Sequence, residues 1–288
     1  MNRVMKKLFA IISLLGIALL SAPKASAQYF VDQTHTDGLY IENATGTKTP
    51  MPLPTVREAD VMWKKTVWRE IDFRQKMNQG FYYPTVAHQN WKNFITVIID
   101  AMKEGRITAY NDEPTGELLN PVSYSQIMNK QTDTLYRTFR RPYPPYDEYD
   151  TVIISQFDPS QVKRCRIKEE WYFDKQRSQL MVRIIALCPV KMVELESGDR
   201  FPQPLFWIPY EAAREVLIQA PFYNRNNSAA RLNYDDIFLK RLFDSYIYKE
   251  ENVFDRSIQE YAQGIDALLE SERIKNSIIE FEQNLWEY

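Results

Sequence analysis

The 288-residue sequence predicts an α+β architecture: an antiparallel sheet centred on a long hairpin, with flanking helices and a helical N-terminal portion. Three observations predict it. Apolar and polar residues alternate twice between 165 and 193, helical spacings of three and four run through 55–78 and 90–104, and a proline-rich stretch at 140–147 separates the two patterns. Ile167, Glu169, Trp171 and Phe173 share one face of the first strand, with Lys168, Glu170 and Tyr172 opposite. Leu180, Val182, Ile184, Ala186 and Cys188 alternate with Met181, Arg183, Ile185 and Leu187, so the second strand is apolar on both faces and belongs at the centre of a sheet. With 174–178 as the loop, Trp171 faces Val182, Phe173 faces Leu180, Glu170 faces Arg183 and Ile167 faces Ala186. Glu169 opposite Ile184 is a poor match and marks a place for a bulge. The same register sets Cys165 opposite Cys188.

Taken in order, residues 1–27 combine Arg3, Lys6 and Lys7, an apolar run from Leu8 to Leu20 and the small-residue site Ala25-Ser26-Ala27. That pattern is a secretory signal peptide cleaved after Ala27, and its run is shorter than the roughly 20 residues of a membrane span. Residues 28–54 have little periodicity and end in prolines, which predicts an extended arm, either a loose terminus or a segment that orders on a neighbour. The portion 55–139 is predicted mainly helical. Its first helix, 55–78, begins at the capping pair Thr55 and Glu58 and presents Trp63, Val67 and Ile71 as a stripe. A second helix at 90–104 closes at Gly105, followed by a short strand at 106–110 and a short helix at 121–130.

Residues 140–147, Arg-Arg-Pro-Tyr-Pro-Pro-Tyr-Asp, are predicted to connect this portion to a sheet portion with C-terminal helices at 148–288. There a strand at 151–156 precedes the hairpin, and a loop at 196–204, a short strand at 205–208 and helices at 209–219 and 234–243 follow it. A long helix at 257–286 shifts its apolar stripe near Ser271. Arg140, Arg141, Tyr143 and Tyr146 are the candidate interface residues, because Arg and Tyr anchor interfaces; the same rings could pack locally on the connector.

Composition narrows the function classes. Of 36 basic and 38 acidic residues, four basic and no acidic ones lie in the signal peptide, so the remainder is mildly acidic and has no clustered basic surface for nucleic acid. Two histidines, His35 and His88, have no second ligand at metal spacing, and the eight glycines form no phosphate cradle. No G-x-S-x-G elbow is present. Two cysteines in an oxidising compartment permit a Cys165–Cys188 disulfide, and two buried free thiols fit equally. The catalytic device that remains is a carboxylate pair, Glu169 with Glu170, or Asp147, Glu148 and Asp150, as in a glycan hydrolase. A stand-alone peptide-binding module is a further alternative.

The segment from Trp63 to Asn78, followed by Tyr82-Tyr83-Pro84, resembles the N-terminal signature of the GldN/PorN family. The hairpin residues 167–174, and Arg183-Ile184 before Cys188-Pro189, support the resemblance. It implies a structural part of the type IX secretion and gliding-motility machinery, periplasmic and associated with the outer membrane. The implied partners are an outer-membrane lipoprotein of the GldK/PorK type, within a large ring, and the periplasmic part of a GldM/PorM type motor component. It implies no cofactor, no metal and no catalytic residue.

Overall fold

The computed structural model describes residues 48–87, 91–111, 113, 116–144, 147–155, 157–194, 198, 200–225, 227 and 229–285, with the backbone alone described at 133–139 and 149–155. The expected signal peptide, most of the expected arm, His35, His88 and Tyr146 lie outside the described residues. The strands are β1 (Val61–Asp72), β2 (Ala109–Tyr110), β3 (Pro121–Val122), β4 (Asp133–Arg140), β5 (Glu148–Ser155), β6 (Val162–Asp174), β7 (Gln179–Glu194), β8 (Arg200–Pro204), β9 (Ile208–Pro209), β10 (Pro221–Phe222), β11 (Leu232–Asn233) and β12 (Tyr246–Glu250). The helices are α1 (Gln79–Tyr82), α2 (Phe94–Lys103), α3 (Tyr124–Gln131), α4 (Tyr210–Leu217), α5 (Tyr234–Leu239), α6 (Ile258–Tyr261) and α7 (Ile265–Asn284).

The antiparallel sheet runs β12-β1-β6-β7-β8, with β9 also on β7. This is the α+β architecture the hairpin predicts, but its third long strand comes from a segment that reads as a helix. Residues 61–72 are β1, paired with β6 on one edge and β12 on the other. Trp63, Val67 and Ile71 are four apart, a spacing that keeps residues on one face of a helix and of a strand alike. The stripe therefore could not decide between them. The β-branched and aromatic content of the segment favours extension, and hydrogen bonding along both edges outweighs its weak helical capping signal.

From Asp174 back to Glu169 the β6–β7 register is the expected one, with Phe173 on Leu180, Trp171 on Val182, Glu170 on Arg183 and Glu169 on Ile184. A bulge between Lys168 and Glu169 then moves the pairing by one residue, so Ile167 meets Leu187 and not Ala186. The expected Cys165 and Cys188 alignment is lost with it: Cys165 pairs with Pro189, and Cys188 with Arg166. A one-residue slip turns side chains to opposite faces. Cys165 enters the main core, whereas Cys188 joins Trp68, Ala186, Trp207 and Tyr248 on the other side. Both are buried free thiols, the second of the two alternatives that the sequence leaves open, and the candidate Cys165–Cys188 disulfide is not formed. Burial pushes the Cys165 thiol well above its ordinary range, as in an inert structural cysteine.

The main core fills one face of the sheet. Ile71, Phe73, Ile167 and Leu187 meet α1, α2, α4 and α5 there. Phe81 is its hub, with ring centroids 5.3 to 5.6 Å from Phe73, Phe94, Phe222 and Phe238, distances at which aromatic pairs add to area burial. Arg214 on α4 and Asp235 on α5 are buried together, with Arg214 Nε and Nη2 donating at 3.0 and 3.1 Å. Tyr210 donates to the same carboxylate at 2.8 Å.

Three further expectations change. The expected connector 140–147 lies between two paired strands, since β4 ends at Arg140 and β5 begins at its partner Glu148, and Thr45–Tyr288 form one compact unit. The prolines therefore stop a strand pair and do not divide two portions of the fold. The portion 55–139 is mixed, since it contains β1 and β4 beside α2 and α3. The C-terminal helix is two helices broken at Gly264, which adopts φ 60°, and Ser271 lies within α7.

Candidate interaction surface

Of the predicted interface residues, Arg140, Arg141 and Tyr143 sit at the end of the β4–β5 hairpin. Arg140, Arg141 and Tyr143 are exposed, and Arg141 donates its backbone N–H to the Asp147 carbonyl at 3.1 Å. Tyr143 is 70% exposed, so its ring is not packed onto the connector.

A second surface lies on the C-terminal helix. Ser257 and Glu260 form a capping box that starts α6, and Gly264 then redirects the chain so that α7 lies along β12. Ile274 and Ile278 of α7 pack with Val67, Ile247 and Ile258, while Phe281 stacks on Trp63 with centroids 4.4 Å apart. The Ser271 hydroxyl accepts the Ile247 N–H at 3.0 Å, satisfying a donor on the outer edge of β12. The outward side of the same helix carries Ile265, Leu268 and Leu269, all more than half exposed. Leu268 also borders an open cavity of about 580 Å³ lined by Tyr246, Ile247, Tyr248, Ile258 and Ala267. An amphipathic helix whose second side is apolar as well was legible only as a shifting stripe, because the break at Gly264 decides which side faces the sheet.

The sheet face carrying Cys188 holds a charged cluster. Glu70, 2% exposed, accepts from Arg164 at 2.8 Å, Arg166 at 3.1 Å and the Tyr246 hydroxyl at 2.6 Å. Burial, and then the Glu70 charge, raises the Tyr246 hydroxyl above its ordinary range, so it stays a donor. Lys249 stacks over the Trp68 ring at 4.8 Å and pairs with Asp255 at 2.6 Å. A buried network of this kind orients its side chains, although Arg164 Nε within it has no hydrogen-bond partner among the described residues.

Glu169 and Glu170 do not form a paired-carboxylate site, and the Asp150 side chain lies outside the described residues. Glu169 and Glu170 are successive strand residues and point to opposite faces: Glu169 is fully buried against Arg241, while Glu170 pairs with Lys64 at 3.2 Å on the other side. Asp147 and Glu148 are exposed at the hairpin tip. Among the described residues, no group of three or more His, Cys, Asp or Glu side chains is placed to hold a metal ion, and no helix is long and apolar enough to cross a membrane.

The fold defines an α+β protein with an exposed apolar row on α7. Residues 56–287 match the family described as gliding motility associated protein GldN, and the chain belongs to that family. Membership ties it to gliding motility and type IX secretion as a structural component. No curated protein matches it.

Proposed function

We propose that this chain is a scaffold subunit of the type IX secretion and gliding-motility apparatus, acting by binding and not by chemistry. It works in the periplasm after removal of residues 1–27, and it assembles with an outer-membrane lipoprotein of the GldK/PorK type into a ring that contacts a GldM/PorM type motor component. The observation that carries this reading, beside the family match, is the outward apolar row of α7. Ile265, Leu268 and Leu269 are exposed on a helix that is itself firmly packed, and clustered apolar exposure of this kind marks protein interfaces. The exposed Arg140, Arg141 and Tyr143 on the hairpin tip supply a second anchor set.

The test is gentle detergent extraction of envelopes carrying a tagged copy, followed by size fractionation. A very large particle that contains the lipoprotein is expected, and Leu268→Asp with Leu269→Asp should release the tagged chain from it. A chain that runs as a monomer under several extraction conditions would overturn the scaffold assignment.

A further inference from the structure

At the junction of β1, β6, β12 and α7 lies a cavity of about 170 Å³ lined by Arg69, Arg241, Lys275, Trp171, Ile247 and Ile279. We propose that it binds a carboxylate side chain, an Asp or Glu flanked by apolar residues, presented by a partner protein. The inference follows from the cavity and does not rest on the ring assignment.

The charge in this cavity is unbalanced. Its lining carries three cations and no acid. The fully buried Glu169 beneath it is already engaged by Arg241, whose Nη1 and Nη2 lie 2.9 and 3.1 Å from its two oxygens, and by the Trp171 indole N–H at 3.2 Å. Among the described residues Arg69 donates only to neutral acceptors, the Ser245 hydroxyl at 2.9 Å and the Ser245 carbonyl at 3.0 Å. Glu169 and Asp244 act on it only at longer range, and burial draws its guanidinium below its ordinary range. Lys275 is exposed and has no ion-pair partner among the described residues. Arg69 and Lys275 thus leave two positive charges without a carboxylate of their own in a chain that is acidic overall.

The backbone is also committed to this arrangement. Arg241 sits at φ 53° after α5, where its N–H bonds to the Phe238 carbonyl and the Leu242 N–H to the Ile237 carbonyl. That position of a helix end is usually glycine, since other residues are strained there. Arg241 therefore holds a strained conformation while its guanidinium reaches Glu169 and the cavity.

The walls select a peptide over a bare anion. Trp171, Ile247, Ile278 and Ile279 surround the cations, and Lys275 and Ile279 lie on the same side of α7 as Leu268, about two and three turns along. An acidic residue seated between the cations would place apolar neighbours along that row.

The purified protein is titrated with N-acetyl-Leu-Glu-Leu-amide, its Gln counterpart and inorganic phosphate, following the indole N–H resonance of Trp171, assigned by its loss in Trp171→Phe. Saturable binding of the Glu peptide about tenfold tighter than the Gln peptide is expected, as for a charge-assisted contact. Lys275→Glu, at an exposed helix position that leaves the fold intact, should weaken the Glu peptide severalfold and leave the Gln peptide unchanged. Equal affinities for the two peptides, no effect of Lys275→Glu, or phosphate competing as well as the Glu peptide would each overturn the proposal. None of these outcomes depends on whether the chain enters a large particle.

Discussion

At the scale of single residues, the turn of the β6–β7 hairpin is set by Asp174, whose carboxylate accepts from the Gln176 N–H at 2.9 Å and from the Arg177 guanidinium. The hydrogen bond from Arg177 holds this carboxyl below its ordinary range. A depressed folded value stabilises the protein above the unfolded pKa, about 3.9 for Asp, and the contribution fades as pH falls through the folded value. Asp174→Asn is therefore expected to be less stable than the parent at neutral pH, with the gap closing below about pH 4; urea unfolding from pH 7 to pH 3 measures it. The cysteines teach the complementary point. Their positions across a hairpin allowed either a bridge or two free thiols, and one bulged residue placed them on opposite faces.

At the scale of elements, Gly264 decides where α7 goes. It adopts φ 60° and ψ −122°, and a Cβ built there meets nothing within 4 Å. The cost of Gly264→Ala is thus purely conformational, about 1 to 3 kcal/mol for a non-glycine residue in such a region. Thermal unfolding should register that loss, and an unchanged midpoint would mean that α6 and α7 are not locked by this turn. The contrast is Gly80, where the added Cβ would stand 2.2 Å from the Phe222 ring. Elements with one strong local signal were legible in advance. The helix expected at 90–104 is one, and Gly105 closes it at φ 73° as expected; the structure adds its cap, Asn93 accepting the Thr96 N–H at 2.8 Å, and the Ser123 and Gln126 box of α3. β8 and β12 were not legible: each is five residues long and extended only because a neighbouring strand supplies its hydrogen bonds.

At the scale of the whole molecule, α7 closes the β12 side of the sheet. Removing residues 265–288 would strip Ile274 and Ile278 from Val67 and Ile247 and leave the Ile247 N–H without Ser271. A bare sheet edge beside newly exposed apolar side chains templates pairing with another chain. The truncated protein is expected to aggregate or dimerise in size-exclusion light scattering, and a stable monomer would show that the edge is protected by other means.

The hairpin, its register up to the bulge and the position of that bulge were written in the sequence, because alternation and cross-strand matching are local properties of two adjacent segments. So were the resemblance carried by 63–78 and 167–174 and the absence of metal or phosphate motifs. Only the tertiary structure decided that 61–72 is a strand, that 140–147 lies between two paired strands, and that Arg69, Arg241 and Lys275 share one cavity. Residues four apart satisfy both periods, so the choice between helix and strand falls to partners far away in sequence. A site assembled from four elements has no spacing to read, since the pairings that bring its residues together carry its geometry.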